Sequence, residues 1–258
     1  MSPTTAAGSL AIVVLFGMLA MLEAGRLIAR RRALADPESA RAGTGVIEGA
    51  IFGLLGLLIA FTFSGAASRF DARRQLIVQE ANAIGTAYLR LDLLPASTQP
   101  GLRDAFRRYV DSRLEIYRKI PDLDAARAAF AASTRIQHEI WSTAVSACRS
   151  DPNPPSTMLL LPALNEMIDI TTTRLAAAQT HPPPIIFVML GALALLSALL
   201  AGYAMGTGKG HNWVYILGFV AVISVTVYVI LDIEFPRLGF IRLDAFDQLL
   251  VDLRNSMN

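Results

Sequence analysis

The chain has 258 residues, of which 53% are hydrophobic and only 17% are charged. Soluble globular domains carry about 25% charged residues, so this composition indicates a membrane protein. The balance of 23 basic against 21 acidic residues argues against a nucleic-acid partner, because phosphate binding needs a concentrated cationic face.

Four segments lack charged residues and are long enough to cross the hydrocarbon core of a bilayer, which takes about 20 helical residues. They are 4–22, 49–68, 182–208 and 210–231. We therefore predict an all-α membrane protein with the lipid bilayer as its first partner. The predicted domains are a transmembrane hairpin, an extramembrane helical bundle, a second transmembrane hairpin and an amphipathic C-terminal tail, at 1–68, 69–181, 182–233 and 234–258.

Basic residues follow the first span at Arg26 and at 30–32. They favour the cytoplasm for the arginine-rich loop that we expect there, but basic residues on the other membrane face are nearly as numerous, so the sidedness stays open. Glu23 and Glu48 lie near the same face as these arginines. We predict interfacial ion pairs for both, with a proton relay as the alternative.

The second span continues as a stalk. After Arg69 the sequence becomes polar, but apolar residues still recur four and three apart as far as Leu91, and no proline occurs before Pro95. These features predict one helix over 45–94. At 1.5 Å per residue it would be about 70 Å long, more than twice the thickness of the bilayer core.

Small residues recur three and four apart along this span, at Gly45, Gly49, Gly53, Gly56, Ala60, Ser64 and Ala67. Such a stripe allows close packing of helices in lipid, and it also suits the wall of a pore; the periodicity does not separate the two. In the pore interpretation, Leu57, Phe61 or Thr62 narrows the lumen or offers a hydroxyl, Ser64 offers a second hydroxyl, and Arg69 or Arg73 rings the exit.

Three amphipathic helices follow the stalk. The first ends before Pro121, Asp122 or Asp124 caps the second, and after a turn at 151–155 the third is kinked or restarted near Pro162. With the stalk they predict an antiparallel four-helix bundle. Four polar residues of this bundle are candidates for ligand binding, with a cation–π stack as the alternative for the last two: Asn82, Arg90, Tyr109 and Arg113.

Acidic residues end the fourth span on the membrane face where Arg69 and Arg73 end the second. We predict that Asp232 or Glu234 pairs with one of these arginines, and we place Arg237 in the same interfacial set. The tail is apolar on one side and acidic on the other. It is therefore expected to dock against the bundle or a neighbouring subunit.

Catalytic motifs are missing from the sequence. The three histidines are far apart, and neither a zinc-protease pattern nor a nucleophile elbow occurs. The single Cys148 lies among apolar helical positions and is expected to be buried. We predict no enzyme activity, no metal and no cofactor.

Segments 56–70, 80–90 and 231–242 resemble a bacterial family of integral membrane proteins called bestrophin-like. More distantly, the chain is similar to bestrophins, which are pentameric anion channels with a hydrophobic neck in the second span. In that family an aromatic residue is followed eight residues later by an arginine–aromatic pair, as Phe61 is here by Arg69 and Phe70. The resemblance implies neck positions at Gly53, Leu57 and Phe61. Gly53 departs from the bulky residue of the family, and an acidic calcium clasp is not found.

The leading hypothesis is a homo-oligomeric ion channel, anion-conducting and pentameric if the bestrophin analogy holds. The resemblance implies a multi-pass protein of the bacterial inner membrane whose further partners are inorganic ions. The alternative is a non-conducting membrane sensor or scaffold that signals through the helical bundle.

Overall fold

The computed structural model describes residues 3–35, 45–120, 122–150, 154–206, 213–237 and 239–257. These residues form helices and connecting loops, and no strand occurs among them. The elements in chain order are α1 (Pro3–Ala35), α2 (Gly45–Leu89), the 3-10 helix η1 (Arg90–Leu93), α3 (Gln99–Arg118), α4 (Leu123–Ser150), α5 (Pro154–Gln179), α6 (Pro184–Met205), α7 (Trp213–Glu234) and α8 (Asp244–Ser256).

Four stretches are long and apolar enough to cross a membrane: Gly8–Ala35, Gly45–Leu93, Ser156–Met205 and Trp213–Glu234. They contain α1, α2, α6 and α7, as the sequence predicts. The all-α fold with four membrane-spanning helices is therefore confirmed. The predicted boundary between the third and fourth spans, at residue 209, lies outside the described residues.

The chain divides into two compact units. The transmembrane unit comprises Met1–Ser68 and His181–Phe235, and the helical unit comprises Arg69–Thr180 and Pro236–Asn258. The first part of α2 belongs to the former and its last part to the latter. The predicted stalk is thus one uninterrupted α-helix of 45 residues, which ends in the short η1.

Close backbone contact joins α1 to α6 in the transmembrane unit. A Cβ added to Gly202 would lie 1.8 Å from the carbonyl oxygen of Leu22, and one added to Gly25 would lie 2.0 Å from that of Leu199. Only glycine fits at these two positions, and this is the kind of small-residue packing that membrane helices use. Around this contact, α1, α6 and α7 share an apolar core that includes Met18, Leu22, Leu190, Ala194, Ala198, Ile216 and Val220.

The first helix is longer than the sequence analysis predicts. Helix α1 continues past Leu22 to Ala35, so Glu23, Arg26 and residues 30–32 are helical. The predicted arginine-rich loop at this place is wrong. Alanine, leucine and arginine are strong helix formers, and they dominate the segment after the apolar run.

The helical unit has its own core, to which α2, η1, α3, α4, α5 and α8 all contribute. Fully buried members are Ile84, Leu91, Phe106, Tyr109, Ile140, Leu164 and Leu250. The tail inserts Leu250, on α8, and Met257, which follows α8, into this core. The carbonyl oxygen of Met257 accepts hydrogen bonds from the hydroxyl of Tyr88, at 3.1 Å, and from Arg107, at 3.0 Å. The tail therefore docks on the helical unit of its own chain, one of the two predicted possibilities.

Two local predictions in this unit can be compared with the structure. The carboxylate of Asp122 accepts a hydrogen bond from the backbone N–H of Ala125 at 3.0 Å, so Asp122 is the residue that caps α4. Helix α5 is continuous through Pro162, so the predicted restart does not occur. It begins at Pro154, where a proline suits the first turn; residues 151–153 of the predicted turn lie outside the described part of the chain.

Candidate functional site

The membrane part of α2 presents an exposed apolar face. The side chains of Leu57 and Phe61 are 52% and 68% exposed, and Gly53 and Ser64 are exposed as well. A Cβ added to Gly53 would have no described atom within 4 Å. In the most apolar window of this helix only 11% of residues are buried, against 33% in α1 and α7. The face is therefore open for contacts from outside the chain.

Thr62 lies apart from this face. Its side chain is 7% exposed, and its hydroxyl donates a hydrogen bond to the carbonyl oxygen of Leu58 at 2.6 Å. In the protomer this hydroxyl is buried and bonded within its own helix, and its predicted use at a pore stays a prediction.

Arg73 has a structural partner within the helical unit. It is buried, and it donates hydrogen bonds to the carbonyl oxygens of Ala177, at 3.1 Å, and Thr180, at 3.0 Å. The last carbonyls of a helix lack intrahelical partners, so this guanidinium caps the end of α5 and ties α2 to it. Arg69, one turn earlier, is partly exposed.

Glu23 and Glu48, for which the sequence predicts interfacial ion pairs, have different surroundings in the structure. Glu23 lies 4.0 Å from Arg26, measured from Oε2 to Nη1. Glu48 is half-buried in the first turn of α2, and its buried Oε1 accepts no hydrogen bond from the described residues. Glu23 is thus within ion-pair distance of Arg26 but not hydrogen-bonded to it, and the predicted interfacial pairing of Glu48 stays a prediction.

The acidic residues at the end of α7 are buried. Asp232 accepts a hydrogen bond from the hydroxyl of Tyr228 at 3.4 Å, and Glu234 lies 2.9 Å from Nδ1 of His181. Arg237 donates to both carboxylate oxygens of Asp247, at 2.8 and 3.0 Å. The predicted pairing of Asp232 or Glu234 with Arg69 or Arg73 stays a prediction.

The helical unit contains a buried charge network that was not predicted from the sequence. Glu80 on α2 is fully buried. One of its carboxylate oxygens accepts from Nε of Arg113, on α3, at 2.6 Å, and the other accepts from Nη1 of Arg174, on α5. A single carboxylate therefore holds together three helices, and both arginines are themselves buried.

The network extends to the C-terminal segment through Tyr117. Arg113 donates to the hydroxyl of Tyr117 at 2.9 Å, and the guanidinium carbons of Arg174 and Arg237 lie 4.5 and 4.3 Å from the centroid of its ring. Burial lowers the pKa of Arg174 to about 9, and the nearby charge of Arg237 adds to this effect. Arg174 still carries its charge at neutral pH, so the Glu80 side chain contacts two positively charged guanidinium groups.

A signal for this network was present in the sequence. Glu80 falls between Ile77 and Ile84 on the apolar stripe of α2, and Arg113 follows Tyr109 by one turn on the apolar face of α3. A charge on an apolar stripe needs a buried partner of opposite sign. The two stripes carry opposite charges, which would have suggested the pair.

The candidate ligand-binding residues of the bundle do not converge. Tyr109 and Arg113 are buried and bonded inside the core, where Gln137 donates to the hydroxyl of Tyr109 at 2.9 Å. Arg90 donates to the carbonyl oxygen of Leu159 at 2.6 Å. Asn82 alone lines a groove, of about 180 Å³, whose other wall residues are Gln79, Ala83, Glu166 and Ile170.

Comparison with known proteins gives a match to one family over most of the chain. The model of the Bestrophin-like domain family matches residues 11–245. A search of curated proteins gives no match.

Three crystal structures of a bacterial bestrophin homologue from Klebsiella pneumoniae share the fold. One single-residue variant has 16% identity, covers 95% of this chain and 99% of its own, and has a TM-score of 0.69. A second variant gives 15% identity, 94% and 99% coverage and a TM-score of 0.67. A third structure of the homologue has 15% identity, covers 94% of this chain and 98% of its own, and has a TM-score of 0.65.

Proposed function

The chain belongs to the bestrophin-like domain family, and from this premise we propose that it is a homo-oligomeric ion channel of the bacterial inner membrane. The observation that supports this function is the exposed face of α2, where Leu57 and Phe61 stand free of their own protomer. In an oligomer of about five copies, the α2 helices would surround a central pore with this face turned inward.

The neck of the proposed pore consists of Gly53, Leu57 and Phe61, which are spaced one helical turn apart. Rings of leucine and phenylalanine side chains make an apolar constriction, and water leaves such a constriction readily, which closes it to ions. Gly53 contributes no side chain, so the constriction is confined to two rings. Ser64 offers an exposed hydroxyl close beyond it.

We assign anion preference to basic residues at the end of this span. Arg69 would form a ring at the pore exit, where its charge favours anions over cations. Arg73 supports this potential from a position fixed by the end of α5. Thr62 is left out of the pore lining because its hydroxyl is engaged within α2.

The test is chloride efflux from liposomes reconstituted with the purified chain. Phe61→Ala removes one apolar ring and is expected to raise efflux roughly tenfold, which corresponds to about 1.4 kcal/mol of barrier. Leu57→Ala should act in the same direction. The matched control is Phe63→Ala, because Phe63 is also exposed in the protomer but lies about 160° around the helix from Phe61.

The assignment fails if Phe61→Ala and Leu57→Ala leave efflux at the level of empty vesicles, or if Phe63→Ala raises efflux equally. A single-particle image of the detergent-solubilised protein, viewed down its axis, gives an independent test. About five copies with an axial opening support the channel. A monomer or dimer without an axial path supports the sensor hypothesis instead, for which the groove beside Asn82 and Glu166 is the ligand site to examine.

A further inference from the structure

Arg26 is a buried charge that the proposed channel does not use. It lies on the buried face of α1, one turn after Leu22, and it is 1% exposed. Its Nε, Nη1 and Nη2 atoms are all buried, and none of them donates a hydrogen bond to a described residue. A guanidinium keeps its proton in proteins, so α1 carries a permanent positive charge at the end of an apolar core.

Glu23 does not satisfy this charge. Its Oε2 is 4.0 Å from Nη1 of Arg26, which is beyond hydrogen-bonding distance. The side chain of Glu23 is also 46% exposed, so water screens its charge from Arg26. The five N–H donors of this buried guanidinium thus have no acceptor among the described residues, and an unpaired buried charge is costly in an apolar environment. Ionisable groups in such positions are candidate functional sites in membrane proteins.

The chemistry of the missing acceptor follows from the shape of the guanidinium and from its surroundings. The planar fork of arginine matches the oxygens of a phosphate group in a bidentate arrangement. The next turn of α1 carries three exposed arginines, at 30–32. Basic residues at the end of a membrane span attract the anionic headgroups of phospholipids.

We propose that Arg26 binds a phosphate oxyanion, supplied by the headgroup of an anionic phospholipid at the membrane face where α1 leaves the apolar core. Glu23 borders this site, because its half-exposed carboxylate lies 4.0 Å from Nη1 of Arg26. Because the carboxylate repels the phosphate and competes for the same nitrogen, Glu23 weakens binding. This proposal does not depend on the channel function.

The experiment uses the full chain in maltoside micelles. The unfolding temperature is followed by tryptophan fluorescence during titration with short-chain phosphatidylglycerol, short-chain phosphatidylcholine or sodium phosphate at constant ionic strength. We expect phosphatidylglycerol to raise the unfolding temperature. Arg26→Gln should abolish the rise, and Glu23→Gln should lower the half-saturating concentration at least threefold. Arg135→Gln, which removes an equal but exposed charge on α4 in the helical unit, should leave that concentration within twofold.

Each outcome decides the proposal. An equal rise with sodium phosphate keeps the oxyanion site and overturns the lipid as its source. A full response in Arg26→Gln, or no response to any of the three additives, overturns the site itself. If Arg26→Gln does not fold, Glu23→Gln decides, since Glu23 is exposed and its loss does not open the core: an unchanged or higher half-saturating concentration then refutes the proposal.

Discussion

Glu80→Gln is expected to destabilise the helical unit strongly. The carboxylate of Glu80 is fully buried and bonds Arg113 and Arg174 at the same time. Glutamine keeps the shape of the side chain but removes its charge, which leaves two buried guanidinium groups without a counter-ion. Removal of one partner from a buried ion pair costs about 3–5 kcal/mol. For a unit of this size the loss corresponds to a fall of about 10 °C in the unfolding temperature.

The matched control is Glu139→Gln in the same unit. Glu139 binds Arg108 with both oxygens, at 2.6 and 3.3 Å, but the two side chains are 49% and 47% exposed. Exposed ion pairs contribute about 0.2–1 kcal/mol, so this variant should unfold within about 3 °C of the wild type. Both variants undergo the same chemical change, and burial is the difference between them.

Thermal unfolding followed by the fluorescence of Trp141, which packs against the core of the helical unit, measures both variants. Trp213 is replaced by phenylalanine in this background so that it does not contribute. If Glu80→Gln unfolds no earlier than Glu139→Gln, the assigned role of the network is wrong. A triple variant with Glu80→Leu, Arg113→Met and Arg174→Met should recover most of the loss, because apolar side chains can replace a buried ion network.

Two further predictions use the same unfolding measurement. Gly202→Ala should destabilise the transmembrane unit by about 3 kcal/mol or more, because its Cβ would lie 1.8 Å from the carbonyl oxygen of Leu22. The control is Gly191→Ala on the same helix, whose Cβ would meet no described atom within 4 Å and which should be neutral. Equal effects of the two substitutions would contradict the close contact. Leu250→Ala should cost about 2–5 kcal/mol, because Leu250 is fully buried, and Leu249→Ala, at a residue 40% exposed, should cost less than about 1 kcal/mol. Equal losses at 249 and 250 would show that α8 is not docked as described.

The long helix α2 could be predicted from the sequence because two independent signals agree over its length. The uncharged run before Ser68 has the length of a span, and the apolar spacing from Ile77 to Leu91 continues the helical period without a proline. Membrane spans and amphipathic helices are the elements that composition and periodicity predict most reliably.

The helix ends and the polar partners could not be predicted in the same way. The end of α1 lies in a segment whose residues suit either a helix or an interfacial loop, and only its packing in the fold decides. The partners of Glu80 are 33 and 94 residues away in sequence, so no local pattern brings them together. The carbonyl oxygens to which Arg73 donates are placed beside it only by the position at which α5 ends in the fold.

At Gly25 and Gly202, no side chain separates α1 from α6, and this constrains how the transmembrane unit can move. At Gly25 and Gly202 the two backbones touch directly. A slide by one residue along their axes would bring a side chain into a space that holds none, so this pair of helices is locked in register. In the proposed channel, gating motions within the unit would then arise in helices that lack such a contact. Helix α2 is the candidate, because a Cβ added to Gly53 or Gly56 on its exposed face would meet no described atom within 4 Å.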